Sequence, residues 1–425
     1  MARPCGFARV SAATLLILIV VACVAAVRGH AATVTALLAL PWILLYLDMA
    51  DAFLPVATRW RGGRATQPAT GAGWRAAAGV APHAFVCTVH ELGDAVDEFI
   101  ARHVPLRDAF WIVDLDSRDS TARRLRAAGW RCAGAAPGTA RAALAALVAE
   151  LPAEIGTVIL VEDGATLVTP VDDPAGFARV LADFQRGELD ALCPRSADAP
   201  ADVAALFAAA ESTRAAGIAR SLGDAAPLTA TAVYRRDLLQ RLLADAHGDT
   251  RADSLRALAL GARIRCDERF AVLAPVRGFA DWFDGYALAW RRSLHSAWRG
   301  RRDAAAAAHR DFPAFVHYLA RPVLVDLLAA PLRPAAAAIL LLGGVAACAA
   351  LAGVPIGGAL ADPRMFAWVT AQYVAVYAIC GCLAARPGRR ALALLLAPAS
   401  LCHVLVRAFV PLAPLLHAGG SRVAR

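Results

Sequence analysis

Residues 83–115 read HAFVCTVHELGDAVDEFIARHVPLRDAFWIVDL, in which a helical pattern separates two short apolar runs. The runs at 83–89 and 109–115 have the length and the β-branched and aromatic content of buried strands. The segment from about Asp94 to His103 has the pattern of a helix instead. The same alternation continues downstream, with strand-like runs at 130–133 and 157–163 and helical patterns at 119–128 and 139–151. It predicts an α/β fold with a doubly wound, mostly parallel sheet.

The polar residues that directly follow the apolar runs are the first candidates for a binding site. In doubly wound sheets, ligands bind at the carboxyl ends of the strands. Helix capping is the plain structural alternative for the aspartates after the second run, and a turn or a solvated loop is the alternative for the others. The residues at these positions are His90, Glu91, Asp114, Asp116, Glu162 and Asp163.

Long apolar segments flank the α/β region on both sides. Each is close to the length that crosses about 30 Å of hydrocarbon. The first of them also has the features of a secretory signal peptide, although a second apolar segment follows within a few residues. We expect two transmembrane helices before the α/β region and three after it, at 11–27, 33–47, 335–355, 367–385 and 391–416.

The arginine-rich loops all fall on one side of the membrane if the chain has five spans. They follow the second span, the α/β region and the fourth span, with clusters at 59–64, 291–302 and 386–390. Because positive loops stay inside, the α/β domain is expected in the cytoplasm, attached to a bacterial inner membrane. The net charge of +9 comes mostly from these juxtamembrane arginines, which indicates contact with anionic lipid and not with nucleic acid.

The expected division of the chain has four parts. Residues 1–57 form two transmembrane helices, and 58–80 form a linker rich in Gly, Arg, Ala and Thr. Residues 81–300 form the cytoplasmic α/β domain, which includes an amphipathic interfacial helix at 279–298. Residues 301–425 form a second interfacial helix and three transmembrane helices. The ten cysteines are scattered without a CxxC pair, which predicts reduced thiols and neither a disulfide framework nor a zinc site.

Several segments of the chain resemble membrane-embedded family-two glycosyltransferases, the group that includes the cellulose, hyaluronan and poly-N-acetylglucosamine synthases. The segment LYLDMADAFLPVATRW (45–60) is similar to the start of the branch named for bacteriophage adsorption. The segments that resemble the family's motifs are IVDLDSRDST (112–121), PGTARAALAAL (137–147), LVEDGATLVTP (160–170), TATAVYRRDLL (229–239), DTRADSLRALALGARI (249–264) and WFDGYALAWRRSLHSAW (282–298).

This resemblance implies a GT-A-like domain and an inner-membrane glycosyltransferase. Such an enzyme transfers a sugar from a nucleotide-diphosphate sugar to a growing surface polysaccharide or glycolipid. The implied partners are the sugar nucleotide, a glycan or lipid-linked acceptor, membrane lipid and exopolysaccharide secretion proteins. Nucleic acid is not among them.

The resemblance also implies roles for the matching residues. Asp163 would bind a divalent metal, Mg²⁺ or Mn²⁺, which neutralises the leaving diphosphate. Asp249, or else Asp253, would be the base that removes the proton of the acceptor hydroxyl. For the two base candidates, a helix cap or a solvated position is the structural alternative. For Arg291 and Arg292, the structural alternative is contact with lipid. The implied substrate contacts are Glu91, Asp114, Asp116, Arg141, Arg291 and Arg292.

Each motif also departs from the family pattern. Ala165 replaces the second carboxylate of the metal motif, Thr250 stands where the base aligns, and Leu115 replaces an aspartate in the nucleotide motif. The last motif lacks its Gln and its final Trp. These departures keep open a lapsed enzyme that acts in binding or assembly within an exopolysaccharide machine. His403 and Arg407 in the fifth apolar segment leave a transporter as a third interpretation.

Overall fold

The structure is a computed structural model of the chain. Apart from the single residues at 24 and 408, the residues that it describes are 80–134, 140–162, 165–187, 189–196, 228–245, 250–273, 301–310, 312–315, 332–354, 363–384 and 390–396.

Eight strands among the described residues form one sheet in the order β3-β2-β1-β4-β7-β6-β8-β5. β1 runs parallel to both β2 and β4, β2 runs parallel to β3, and β6 runs parallel to β8. β7 is antiparallel to both of its neighbours, and the short β5 is antiparallel to β8. The strands are β1 (His83–Val89), β2 (Phe110–Asp114), β3 (Arg131–Gly134), β4 (Thr157–Val161), β5 (Thr166–Leu167), β6 (Ala191–Ser196), β7 (Ala232–Arg235) and β8 (Ile264–Leu273).

Helices connect the strands and cover both faces of the sheet. A 3-10 helix, Val104–Ala109, joins the first α-helix to β2. The α-helices of the sheet region are α1 (Ala95–His103), α2 (Thr121–Ala127), α3 (Ala140–Glu150), α4 (Val168–Asp172), α5 (Pro174–Arg186), α6 (Arg236–Leu243) and α7 (Thr250–Ala259). Further along the chain are α8 (Arg301–Arg310), α9 (Phe312–Phe315), α10 (Leu332–Leu351), α11 (Pro363–Ala384) and α12 (Arg390–Leu396).

The core has one hydrophobic cluster on each face of the sheet. β1 contributes to both, because successive side chains of a strand point to opposite faces. Phe85 and Cys87 belong to the cluster that packs against α1 and α5. Ala84 and Val86 belong to the cluster that packs against α3 and α6. Burial on both faces explains why the first runs of the sequence are almost continuously apolar.

The mostly parallel α/β sheet predicted from the sequence is confirmed. The expected strand at 83–89 has the observed bounds of β1, and the helices and strands up to β4 lie within a few residues of their predicted positions. The antiparallel direction of β7 is a finding of the structure. After Gly261 the sequence predicts a short strand, and the structure has the ten-residue β8 there. The sequence also predicts a helical stretch at 201–220, which lies outside the described residues.

The helices after the sheet region contact one another in chain order from α10 to α12. They coincide with parts of the segments expected to span the membrane. In the part of the chain that the structure describes, no helix has both the length and the apolar character that a membrane crossing requires. The first two expected spans and the interfacial helix at 279–298 lie outside the described residues, except for position 24. Membrane insertion therefore stays a prediction.

Candidate functional site

The candidate site lies at the carboxyl ends of β1 and β2, where two loops are joined by hydrogen bonds. Asp114, the last residue of β2, is 6% exposed. Its carboxylate accepts hydrogen bonds from the Ser117 hydroxyl at 2.5 Å and from the Ser117 backbone N–H at 3.3 Å. The Ser117 hydroxyl oxygen in turn accepts a hydrogen bond from the Glu91 backbone N–H at 2.9 Å. The Asp114 carboxylate thus connects the two loops through one serine.

A second set of bonds joins the same loops further from the sheet. One Asp119 carboxylate oxygen accepts from the Gly93 backbone N–H and from the Thr121 hydroxyl, both at 2.8 Å. The other accepts from the Thr121 backbone N–H at 2.9 Å. The Thr121 hydroxyl oxygen accepts from the Leu92 backbone N–H at 3.0 Å. The same carboxylate therefore also bonds the first backbone N–H of α2, two residues after Asp119, while Ser120 occupies the N-cap position.

The predicted contacts Glu91 and Asp116 share an uncommon backbone conformation. Their φ angles are 48° and 58°, in the left-handed region that residues with a side chain seldom adopt. Both side chains are exposed to solvent. Strained backbone of this kind concentrates at functional sites, where the surrounding hydrogen bonds hold it in place. The loops therefore present two solvated carboxylates beside the buried Asp114.

Replacing Asp119 by Ala is expected to lower the melting temperature by a few degrees at neutral pH. Hydrogen bonds from Thr121, first from its hydroxyl and then from its backbone, lower the pKa of Asp119 below its ordinary value of 3.8. Since the folded state prefers the charged carboxylate, its contribution to stability is present above that value and is lost as the pH falls below it. Thermal melts of both proteins between neutral and acidic pH measure this. A difference that stays constant down to the most acidic pH would contradict it.

Two other predicted site residues, Arg141 and Asp253, bind each other. Arg141 lies in the first turn of α3, and Asp253 lies in the first turn of α7. Each of the two terminal nitrogens of the guanidinium donates to one carboxylate oxygen, at 2.7 Å in both cases. The same guanidinium donates to the backbone carbonyls of Leu242 and Asp245. This arrangement ties the end of α6 and the start of α7 to α3.

The Arg141–Asp253 pair is largely removed from water, with 13% and 14% of the two side chains exposed. Tyr234 of β7 is buried beside it and interacts electrostatically with both groups and with Cys193. Burial raises the pKa of Tyr234 well above its ordinary value of 10. The Tyr234 phenol therefore stays neutral near the ion pair.

The remaining predicted site residues lie outside the described residues. The described residues contain no group of three or more His, Cys, Asp or Glu side chains able to hold a metal ion. At the predicted metal motif, Ala165 is buried and brings no ligand, and Glu162 is exposed. The described side chains therefore do not form a metal site by themselves. The residues outside are Asp163, Asp249, Arg291 and Arg292.

Sequence reasoning identified Asp114 and Asp116 but not the residues that hold the two loops together. Ser117, Asp119 and Thr121 belong to the segment SRDST, whose short polar side chains form local hydrogen bonds and begin helices. That composition was the available signal for α2. The SRDST segment also bonds to the loop after β1. Those bonds depend on the parallel pairing of β1 with β2, and no local sequence pattern indicates them.

The chain is similar to known proteins in structure only. No family model matches the chain, and no curated protein matches its sequence. A mannosyltransferase from Pyrobaculum calidifontis, solved with GDP-Man and Mn²⁺, is 19% identical at a TM-score of 0.49, over 81% of this chain and 98% of that one. A glucosyl-3-phosphoglycerate synthase from Mycobacterium tuberculosis, solved with UDP, is 17% identical at a TM-score of 0.34, over 57% of this chain and 86% of that one. Both of these structures are of glycosyltransferases.

Proposed function

We propose that this chain is a glycosyltransferase that takes its sugar from a nucleotide-diphosphate sugar. The observation that carries the proposal is the edge formed by the loops after β1 and β2. It presents the buried Asp114 carboxylate, flanked by the exposed carboxylates of Glu91 and Asp116, at the carboxyl ends of parallel strands. Ligands of doubly wound sheets bind at such an edge. The nucleobase and the ribose of a nucleotide have N–H and O–H groups, which can donate hydrogen bonds to carboxylates.

The order of the strands supports the same proposal. Four parallel strands, β3-β2-β1-β4, form one half of the sheet, and β7 then runs antiparallel between β4 and β6. In this half, the carboxyl ends of β1 and β2 form the proposed nucleotide-binding site. The reversed strand places the start of β7 and the polar residues before it next to the carboxyl end of β4, where the Glu162 backbone N–H donates to the Thr231 hydroxyl at 3.0 Å. The sugar nucleotide and the acceptor substrate could thus bind side by side at the same end of the sheet.

The remaining chemistry is proposed on the resemblance of the sequence. Asp163 is the proposed ligand of Mg²⁺ or Mn²⁺, which when bound would neutralise charge on the leaving diphosphate. Arg291 and Arg292 are the proposed diphosphate contacts, and Asp249 is the first candidate for the base. The proposed product is a surface polysaccharide or glycolipid. The proposed location is a bacterial inner membrane, with the α/β domain on the cytoplasmic side and exopolysaccharide secretion proteins as partners.

Sugar-nucleotide binding by the purified full chain tests the proposal. We expect Asp114→Asn to weaken binding of a nucleotide-diphosphate sugar by about tenfold to a hundredfold, because a hydrogen bond to a charged group contributes about 1.5–3 kcal/mol. Calorimetric titration in mild detergent with UDP- and GDP-sugars, in the presence of Mn²⁺, measures it. Asp108→Asn, at an exposed position of the 3-10 helix, is the matched control and should bind as the unchanged protein does. Failure of all these nucleotides to bind would contradict the proposal.

The alternative function is a lapsed enzyme that binds or assembles within an exopolysaccharide machine. Two observations favour it: Ala165 is buried at the second position of the metal motif, and the Arg141 guanidinium is already bound by Asp253. Hydrolysis of the sugar nucleotide with Mn²⁺ distinguishes the two functions when the protein is compared with Asp163→Ala. Turnover that this variant loses supports the enzyme. Equal background turnover in both, with nucleotide still bound, supports the lapsed subunit.

A further inference from the structure

His103, the last residue of α1, is a buried histidine whose two ring nitrogens are both engaged. It is 1% exposed. Its Nδ1 lies 3.0 Å from the carbonyl oxygen of Phe99, and its Nε2 lies 3.3 Å from the backbone nitrogen of Leu167. A carbonyl only accepts and a backbone N–H only donates. The ring is therefore the neutral tautomer with its proton on Nδ1 and its lone pair on Nε2.

The two partners belong to different parts of the fold. Phe99 lies one turn earlier in α1, whereas Leu167 ends β5 and directly precedes α4. The neighbouring Arg102 forms an ion pair with Asp172, the last residue of α4, at 2.8 Å. The final turn of α1 thus holds both ends of α4, one through a neutral ring and the other through a solvated ion pair.

Protonation of this ring conflicts with its surroundings. An imidazolium has a proton on each nitrogen, so its Nε2–H would face the Leu167 N–H, donor against donor. The ring also packs against the aromatic rings of Phe99 and Phe110, with centroids at 4.6 Å and 5.7 Å. An aromatic pocket offers a cation no acceptor for its second proton. The hydrogen bond to Leu167 consequently exists only while the ring is neutral.

The charged groups around His103 do not favour its protonation. Burial, and then the positive charge of Arg102, lower the pKa of His103 from its ordinary value of 6.5, while the Phe99 carbonyl opposes this. β5 brings no titratable side chain. The charged groups on α1 and on the elements packed against it are Asp97, Glu98 and Arg102 on α1, Arg107 and Asp108 on the 3-10 helix, Asp114 on β2, Arg123, Arg124 and Arg126 on α2, and Asp172 on α4.

We propose that His103 is a positioning residue whose neutral ring holds β5 and α4 in place, and that acidification releases this segment. Leu167 lies four residues after Asp163 in the sequence, so release would also disturb the proposed metal ligand. That consequence for activity rests on the proposed function, whereas the release itself does not. Because the unfolded chain takes up the proton at the ordinary value of 6.5, the stabilisation is complete above that pH and decreases below it.

Hydrogen exchange of the full chain in mild detergent, followed by mass spectrometry at about pH 7.5 and about pH 5.5, tests the proposal. Exchange times are corrected for the intrinsic effect of pH. We expect protection of the peptide covering 165–172 to fall by about tenfold at the lower pH, relative to the peptide covering β1. Equal loss of protection in the two peptides would overturn the proposal. This comparison needs no variant.

Two variants separate a titrating ring from a merely structural one. His103→Gln keeps a donor and an acceptor but has no titratable proton, so protection of 165–172 should remain high at both pH values. His103→Phe fills the space but removes the acceptor, so protection should be low at both. A glutamine variant with the pH response of the original protein would overturn the proposal. Selective release without any sugar-nucleotide binding would overturn the proposed function and leave this inference standing.

Discussion

Replacing Asp253 by Ala is expected to lower the free energy of unfolding by about 3–5 kcal/mol, because it leaves the largely buried Arg141 guanidinium without its carboxylate. The two groups share two hydrogen bonds of 2.7 Å and lie mostly out of water. The guanidinium keeps its bonds to the Leu242 and Asp245 carbonyls but has lost its counter-charge, so water must enter to solvate it, which opens the contact between α3 and α7. Urea denaturation of the full chain in mild detergent measures the change.

The matched control is another aspartate–arginine pair of the same domain. Asp237 and Arg241 are 3.9 Å apart on α6, and 69% and 63% of their side chains are exposed. Because water screens such a pair, Asp237→Ala should change stability by less than about 1 kcal/mol. Equal effects of the two aspartate substitutions would show that burial does not determine the strength of the Arg141–Asp253 pair.

A double variant separates the structural role of Asp253 from its predicted role as a base. Arg141→Met with Asp253→Leu removes both charges and keeps apolar volume, so it should recover most of the stability lost by Asp253→Ala. If Asp253 is the base, the recovered protein will show no sugar transfer. Transfer at an undiminished rate would assign the pair to structure alone and leave Asp249 as the remaining candidate.

The sequence was sufficient for the first half of the sheet because local patterns determine it. β1 and β4 are buried on both faces, so their apolar runs mark them directly, and the alternation with helices implies parallel pairing. The direction of β7 could not be obtained in this way. It depends on which strands β7 joins, and its four residues between polar segments contain no information about its neighbours.

The candidate site was predictable for residues at strand ends and not for pairs distant in sequence. Asp114 could be identified because it directly follows an apolar run. Arg141 and Asp253 are 112 positions apart, and the family resemblance implied separate roles for them, as a substrate contact and as a candidate base. His103 and Leu167 are 64 positions apart, and the histidine had only the pattern of a helix end. Such pairs form only when distant segments pack together, so no local sequence pattern predicts them.

Replacing Phe110 by Ala is expected to lower the free energy of unfolding by about 3–5 kcal/mol, the range for a fully buried aromatic ring. Phe110 begins β2, is 0% exposed, and stacks on Phe85 with ring centroids 5.2 Å apart. Its edge contacts with Phe99 and Trp130, at 5.9 Å and 5.5 Å, are lost with the ring. Because α1 packs on this cluster, the cavity cannot close without moving the helix that holds β5.

Val104→Ala is the matched control for Phe110→Ala, since 51% of the Val104 residue is exposed and its loss opens no cavity. It should change stability by no more than about 0.5 kcal/mol. Phe110→Leu should fall between the two, because leucine refills part of the volume but none of the ring contacts. Urea denaturation of all three variants in mild detergent gives the comparison. A loss below about 1 kcal/mol for Phe110→Ala would mean that the cluster repacks freely, in which case the aromatic core does not fix the position of α1.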